Sequence, residues 1–302
     1  MGIMRAMKAL RAGLTRMALL PLWVLGRLPL PLARLLMRPL GPLMQALMSR
    51  RSDIAHRNLA LCFPDWPEQQ RRAVVQGHFR HLAESVAEIA TCWYRPGRLD
   101  ARYGEVCGLE HLATARSEGR GVLLVTGHVT CLEVGARLFG EQVPACGIYR
   151  PLRNPVLNAA QNRGRSRYAQ RMIPRNELRA MVRHLRSGGV LWYAPDQDFG
   201  AERSLFAPFF GIPTATAHGL LELARLGRAV VVPMYPVKDE ASGRVTVHIE
   251  AAFDAFPSGD AGHDLARFNA FLERRIRAAP AQYWWLHRRF KTAPNGEPSR
   301  YG

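Results

Sequence analysis

The run Gly127-His128-Val129-Thr130-Cys131-Leu132-Glu133 sets an imidazole and a carboxylate five positions apart, directly after the apolar stretch Gly121 to Thr126. Imidazole is the side chain best suited to taking and returning a proton near neutral pH, and a carboxylate bonded to one ring nitrogen would fix the tautomer that leaves the other free. A pair so arranged could deprotonate a hydroxyl for acyl transfer without a nucleophilic serine. Five residues rotate a helix by about 140°, so both cannot stand on one helical face. The spacing therefore predicts His128 on a loop and Glu133 in the first helical turn. Thr130-x-x-Glu133 is equally a capping box, in which the glutamate serves only the helix end.

Two further groups carry charge suited to anionic ligands. Arg150, Arg153, Arg163, Arg165 and Arg167 gather around one predicted helix. Arg163 and Arg167, four apart, share a face, while Arg165 points elsewhere. Such planar forks suit phosphates or an acidic protein, and a solvated basic helix is the plainer alternative. Asp196 and Asp198 follow another apolar run, Val190 to Ala194. No third ligand at a usual spacing supports a metal there, which leaves substrate positioning or an ordinary turn before Gly200.

These groups need elements to carry them. Gly121 to Thr126, Val190 to Ala194 and Ala229 to Tyr235 are short apolar runs that read as buried strands, and Val245 to Ile249 alternates like a more exposed one. Helical periodicity covers residues 54–62, 68–91, 132–139, 155–168, 177–186, 217–226 and 265–278. Alternation of this kind predicts an α/β fold, a mostly parallel or mixed central sheet flanked by helices. His128 would leave a strand at its carboxyl end, the edge where such sheets bind ligands, and the Asp196 strand should lie alongside. Phe206 to Pro213, apolar but broken by Pro208, Gly211 and Pro213, predicts a shaped loop that could wall an acyl chain or simply pack in the core.

The organisation expected is a membrane-associated anchor over residues 1–50 and one catalytic domain over 51–302. The anchor has two apolar runs, Met17 to Gly26 and Leu28 to Ala33, neither near the roughly 20 residues of a spanning helix. On a continuous helix Arg16, Arg27, Arg34 and Arg38 would fall within about 40° of each other, the stripe of a helix lying in a membrane interface. Pro21, Pro29, Pro31 and Pro39 predict that this helix is divided. Arg5, Lys8 and Arg11 before the first run suggest a signal peptide, but no small-x-small cleavage site follows.

Composition sets outer limits. The chain has 302 residues, 48% hydrophobic, and a formal charge of +18 carried almost wholly by arginine, which argues against disorder and points to anionic partners. Five scattered cysteines, Cys62, Cys92, Cys107, Cys131 and Cys146, form no Cys-x-x-Cys pair and suit a reducing, cytosol-facing compartment.

Seven blocks occur in order along the chain: Arg57 to Pro64, Gly127 to Glu133, Tyr149-Arg150-Pro151, Asn162-Arg163-Gly164-Arg165, Trp192 to Asp198, Pro208 to Thr214, and Gln282 to Thr292. Together they resemble the lipid A biosynthesis acyltransferases, relatives of the lysophospholipid acyltransferases with a Glu variant of the His-x4-Asp/Glu signature. The resemblance implies transfer of a fatty acyl chain from an acyl thioester, either acyl carrier protein or coenzyme A, to a hydroxyl of a lipid A precursor. It implies His128 and Glu133 as a catalytic dyad, with Arg150, Arg163, Arg165, Asp196 and Asp198 binding substrate and no metal or resident cofactor. Expected partners are an acidic acyl carrier protein, an anionic phosphorylated glycolipid and the bacterial inner membrane, with the catalytic domain facing the cytoplasm. An acyltransferase for another membrane glycolipid or phospholipid, such as a phosphatidylinositol mannoside, is the alternative enzyme. A basic protein that only coats membrane or nucleic acid is the alternative outside enzymology.

Overall fold

The computed structural model describes residues 2–99, 101–294 and 297–301, with side chains from residue 13 onward. The side chains of Arg5, Lys8 and Arg11, on which the signal-peptide reading rests, lie outside that set. The N-terminal part is α1 (Gly2–Leu25), α2 (Leu30–Met37), α3 (Gly41–Leu47), α4 (Ser49–Cys62) and α5 (Glu68–Tyr94). There follow β1 (Gly104–Cys107), α6 (Leu109–Arg116), β2 (Val122–Val125), α7 (Leu132–Gly140), β3 (Cys146–Tyr149), α8 (Pro155–Arg165), β4 (Arg171–Pro174), α9 (Leu178–Arg186) and β5 (Val190–Tyr193). The chain continues through β6 (Ser204–Phe209), β7 (Ile212–Ala217), α10 (Gly219–Gly227), β8 (Val230–Lys238), β9 (Val245–Ile249) and α11 (Ala261–Ala278).

Seven strands form one sheet in the order β1-β9-β8-β2-β5-β3-β4, parallel at every pairing except β8 with β9. β2 takes the central place, and all four of its residues are buried, as a strand covered by helices on both faces must be. The apolar runs at residues 121–126, 190–194, 229–235 and 245–249 are β2, β5, β8 and β9. The four-residue strands β1, β3 and β4 escape sequence reading because Gly104 and Glu105, Gly147, and Arg171 with Pro174 leave each too few consecutive apolar residues to form a run.

Phe206 to Pro213 is not a loop. It is the hairpin β6–β7, closed by Phe210 (φ 51°) and Gly211 (φ 75°), the paired positive φ values of a tight hairpin turn. Pro208 and Pro213 face each other one step beyond the Phe209–Ile212 pair that closes the turn. That is a non-hydrogen-bonded position of an antiparallel ladder, where a missing N–H costs nothing.

The N-terminal segment is divided at Pro29 and Pro39 as expected, but Pro21 lies inside α1 without ending it, and among the described residues no helix is long and apolar enough to cross a membrane. The basic stripe is interrupted, however. Arg34 turns inward, 8% exposed, and donates to Glu88 at 2.9 Å, while Glu88 also accepts from Lys238 at 2.9 Å. Burial of an arginine is tolerated here because two carboxylates, Glu84 and Glu88, and two cations, Arg34 and Lys238, compensate one another. Arg16, Arg27 and Arg38 remain exposed beside Leu14, Met17, Leu20, Leu35, Leu43 and Leu47.

Candidate functional site

Register brings the first two groups together. Val125 of β2 pairs with Tyr193 of β5, and His128 and Asp196 each stand three residues beyond that pair, so both emerge at the same level from adjacent parallel strands. Asp196, 2% exposed, accepts from the His128 main-chain N–H at 2.8 Å and from Nδ1 at 2.5 Å. Gly127 permits the approach: a Cβ there would lie 3.4 Å from the Asp196 carboxylate and 2.9 Å from Leu272. Its value is close packing rather than an unusual φ.

With Nδ1–H committed to Asp196, the neutral imidazole keeps Nε2 unprotonated, and His128 lines the adjacent cavity. Burial lowers the imidazole pKa, but the charge of Asp196 and the bond to it outweigh this, so the value is raised above 6.5. Asp196 is also subject to burial, which would raise its pKa, and the opposite effect of His128 holds it below the ordinary carboxylate range.

Glu133 stands in the first turn of α7, as the spacing requires, but it does not bond His128. Its carboxylate accepts from Arg165 Nε at 3.0 Å and Nη2 at 2.7 Å, from the Trp93 indole N–H at 2.7 Å, and from the Tyr168 hydroxyl. The expected His128–Glu133 pairing is thus replaced by two pairs, His128 with Asp196 and Glu133 with Arg165. Asp196, expected from sequence to position substrate or to serve a turn, bonds the histidine. The capping box does not form either. Cys131 is the N-cap residue and makes no side-chain cap, and the Thr130 N–H donates to the Gln282 carbonyl.

Four donors around one buried carboxylate explain its ionisation. Burial pushes the Glu133 carboxyl up, but the Arg165 charge, its hydrogen bonds and those of Tyr168 and Trp93 hold it below the ordinary range. Arg165 in turn is held firmly protonated by Glu133 against its own burial. The contact of α8 with α5 depends on Gly164, where a Cβ would collide with the Trp93 ring, so this glycine lets Trp93 and Arg165 converge on one carboxylate.

His128, Glu133 and Arg165 line a cavity of about 320 Å³, near the lower end of the range for small-molecule sites. Arg150 stands at its edge, and Leu132, Ala136, Phe139, Ile148, Met172 and Trp192 make it apolar. Of the two readings of Phe206 to Pro213, acyl wall or core packing, the structure favours the second: the hairpin does not line the cavity, and β6 packs on α11. Arg163, which is exposed, lies outside the cavity, as do the buried Asp196, behind His128, and the buried Asp198. The Asp198 carboxylate accepts from Thr292 N at 2.8 Å, Thr292 Oγ1 at 2.9 Å and Gly200 N at 2.8 Å, so its bonds serve the protein rather than an open site. Sequence reasoning missed Trp93 and Tyr168, which no local motif marks.

A hydroxyl entering this cavity would meet an imidazole whose tautomer is fixed, a guanidinium that lines the same cavity and an apolar recess. Comparison with known proteins supplies a family. The sequence model of the family described as "Bacterial lipid A biosynthesis acyltransferase" matches residues 1–292. The chain is 41% identical to the lipid A biosynthesis lauroyltransferase of Escherichia coli K12, covering 96% of this chain and 95% of that protein. It is 36% identical to the palmitoleoyltransferase of the same organism over 96% and 95% of the two chains, and 30% identical to its myristoyltransferase over 81% and 76%.

Proposed function

Since the chain belongs to the bacterial lipid A biosynthesis acyltransferases and is thereby an O-acyltransferase, we propose that His128, oriented by Asp196, is the base that activates a hydroxyl of a lipid A precursor. The observation that carries this reading is the commitment of Nδ1 to Asp196 beside a cavity shared by Arg165 and an apolar wall.

The hydroxyl oxygen attacks the carbonyl carbon of an acyl thioester as its proton passes to His128 Nε2. The tetrahedral intermediate carries negative charge on the former carbonyl oxygen. Arg165, fixed by Glu133 and lining the same cavity, stabilises that charge with its guanidinium. Collapse breaks the C–S bond, and the imidazolium returns the proton to the departing thiolate. No acyl-enzyme forms. Glu133 acts through Arg165, which it orients and keeps charged, and Trp93 and Tyr168 hold Glu133.

The apolar recess takes the acyl chain, and Arg150 at its edge suits a phosphate of the glycolipid. The net charge of +18 favours an acidic acyl carrier protein as donor. The exposed leucines of α1 to α3, fringed by Arg16, Arg27 and Arg38, suit an interfacial position on the inner membrane.

The test is direct. Purified protein is incubated with a hydroxylated, phosphorylated lipid A precursor and a series of acyl thioesters on carrier protein or on coenzyme A, and the lipid is weighed by mass spectrometry. Addition of one acyl chain, lost in His128→Ala, is the expected result. Undiminished turnover in His128→Ala would remove the proposed base.

A further inference from the structure

The two halves of the proposed base stand on separate loops, His128 after β2 and Asp196 after β5, and one distant segment is fastened to both. We propose that residues 282–292 act as a strap that holds His128 against Asp196, with Gln282 and Asp198 as its two anchor points. The inference rests on the His128–Asp196 reading above and assigns positioning roles to residues outside the cavity.

At one end Gln282, 2% exposed, grips the last residue of β8 with both ends of its amide. Nε2 donates to the Lys238 carbonyl at 2.6 Å and Oε1 accepts from the Lys238 N–H at 2.8 Å. Its own carbonyl accepts from Thr130 N–H at 2.9 Å, Tyr283 forms an antiparallel bridge with Val129, and Trp284 N–H donates to the His128 carbonyl at 3.0 Å. Residues 128–130 are thereby hydrogen-bonded like a short strand, and a loop that would otherwise sample many conformations is restricted where the imidazole begins.

The other end holds the second loop. His287 Nε2 accepts from Asp198 N–H at 2.9 Å, and Thr292 donates twice to the Asp198 carboxylate, at 2.8 and 2.9 Å. Asp198 lies two residues beyond Asp196, so fixing it fixes the aspartate that orients the base. Between the anchors, Asn58 of α4 donates to the carbonyls of Trp285 and His287 at 2.7 and 2.8 Å, and Arg289, 2% exposed, donates to Ala215 of β7. The strap is therefore tied to the core along its length.

The test uses the isosteric variants Gln282→Met and Thr292→Val, singly and together, in the full chain. Asp198→Asn is the alternative should Thr292→Val fold poorly. Readouts are kcat and KM for the acyl donor, the pH profile of kcat/KM, the melting temperature, and the proton NMR signal of the imidazole Nδ1–H bonded to Asp196. The charged and titratable groups near the imidazole are Asp196, Arg165 and His287, the last held neutral by burial, which lowers its pKa to about 4.

A loosened His128–Asp196 pair should lower kcat roughly tenfold to a hundredfold, with little change in KM. It should also move the acid limb of the profile to lower pH and weaken or shift the Nδ1–H signal. Unchanged NMR signal and pH profile, with losses of activity that only follow the folded fraction, would overturn the strap. Should His128→Ala retain full activity the base reading falls alone, because the NMR signal still decides whether the strap holds the pair.

Discussion

Asp196 receives two hydrogen bonds from His128, one from the main chain at 2.8 Å and one from Nδ1 at 2.5 Å, and so sets both the position and the tautomer of the ring. Asp196→Asn keeps the shape but offers an amide that can bond the wrong tautomer. By analogy with other histidine–aspartate pairs, kcat should fall on the order of a thousandfold or more, with the melting temperature little changed. Steady-state kinetics and a thermal melt on one preparation check both parts.

The pH profile separates the two carboxylates. Because Asp196 raises the imidazole pKa above 6.5, the proton must be lost above that value before Nε2 can act, and kcat/KM should rise with pH through a limb above 6.5. In Asp196→Asn the limb should move down, since burial and Arg165 then act unopposed to disfavour the imidazolium. Glu133→Gln should depress kcat while leaving the limb above 6.5. A limb that moves in Glu133→Gln and not in Asp196→Asn would restore Glu133 as the partner of the histidine.

Glu133→Ala removes the carboxylate from a buried pair and leaves Arg165 uncompensated, a change that costs about 3–5 kcal/mol where the survivor stays buried. Arg165 keeps 21% of its side chain exposed and can partly turn to water, so about half of that is expected as loss of unfolding free energy. His128→Ala leaves the buried Asp196 carboxylate without its Nδ1–H donor, a loss of about 1–3 kcal/mol that the remaining main-chain bond only partly offsets. Urea melts of the two variants read both losses.

Ala136→Phe should shorten the apolar recess. Each methylene kept out of apolar surroundings forfeits about 0.8 kcal/mol, roughly fourfold in affinity. The preference should shift to shorter acyl donors, read as kcat/KM across a chain-length series, with activity on the shortest donor kept.

Arg34→Ala should leave Glu88 and Lys238 in a broken buried network at a cost of about 3–5 kcal/mol, and should loosen α2 from α5 before the sheet opens. Hydrogen exchange should show early loss of protection over residues 30–47, with β2 and β5 still protected.

Much of this architecture can be read from local pattern. β2, β5, β8 and β9 are apolar runs of the right length, and α5, α7 and α11 follow helical spacing, because burial on one face of a regular element leaves a period in the chain. The placement of His128 on a loop and Glu133 in a helix is legible from the apolar run that ends at Thr126 and the helical spacing that begins at Leu132. Proline and glycine mislead where context protects them: Pro208 and Pro213 suggest a loop, yet each occupies a hairpin position whose N–H is not needed.

Sequence by itself determined the α/β alternation, the division of the N-terminal helices and the chemistry-bearing candidates His128, Glu133, Arg165 and Asp196, because each depends on residue type or on spacing within one element. Only tertiary structure decided who bonds whom. Glu133 lies five positions from His128 and yet binds Arg165, Tyr168 and Trp93, which reach it from α8, from the segment after it and from α5. Asp196 lies 68 positions away and binds His128 because β2 and β5 are neighbours in register. Side-chain partnership at a strand end is set by sheet order and helix packing, which sum over the whole chain and leave no mark in any one segment of it.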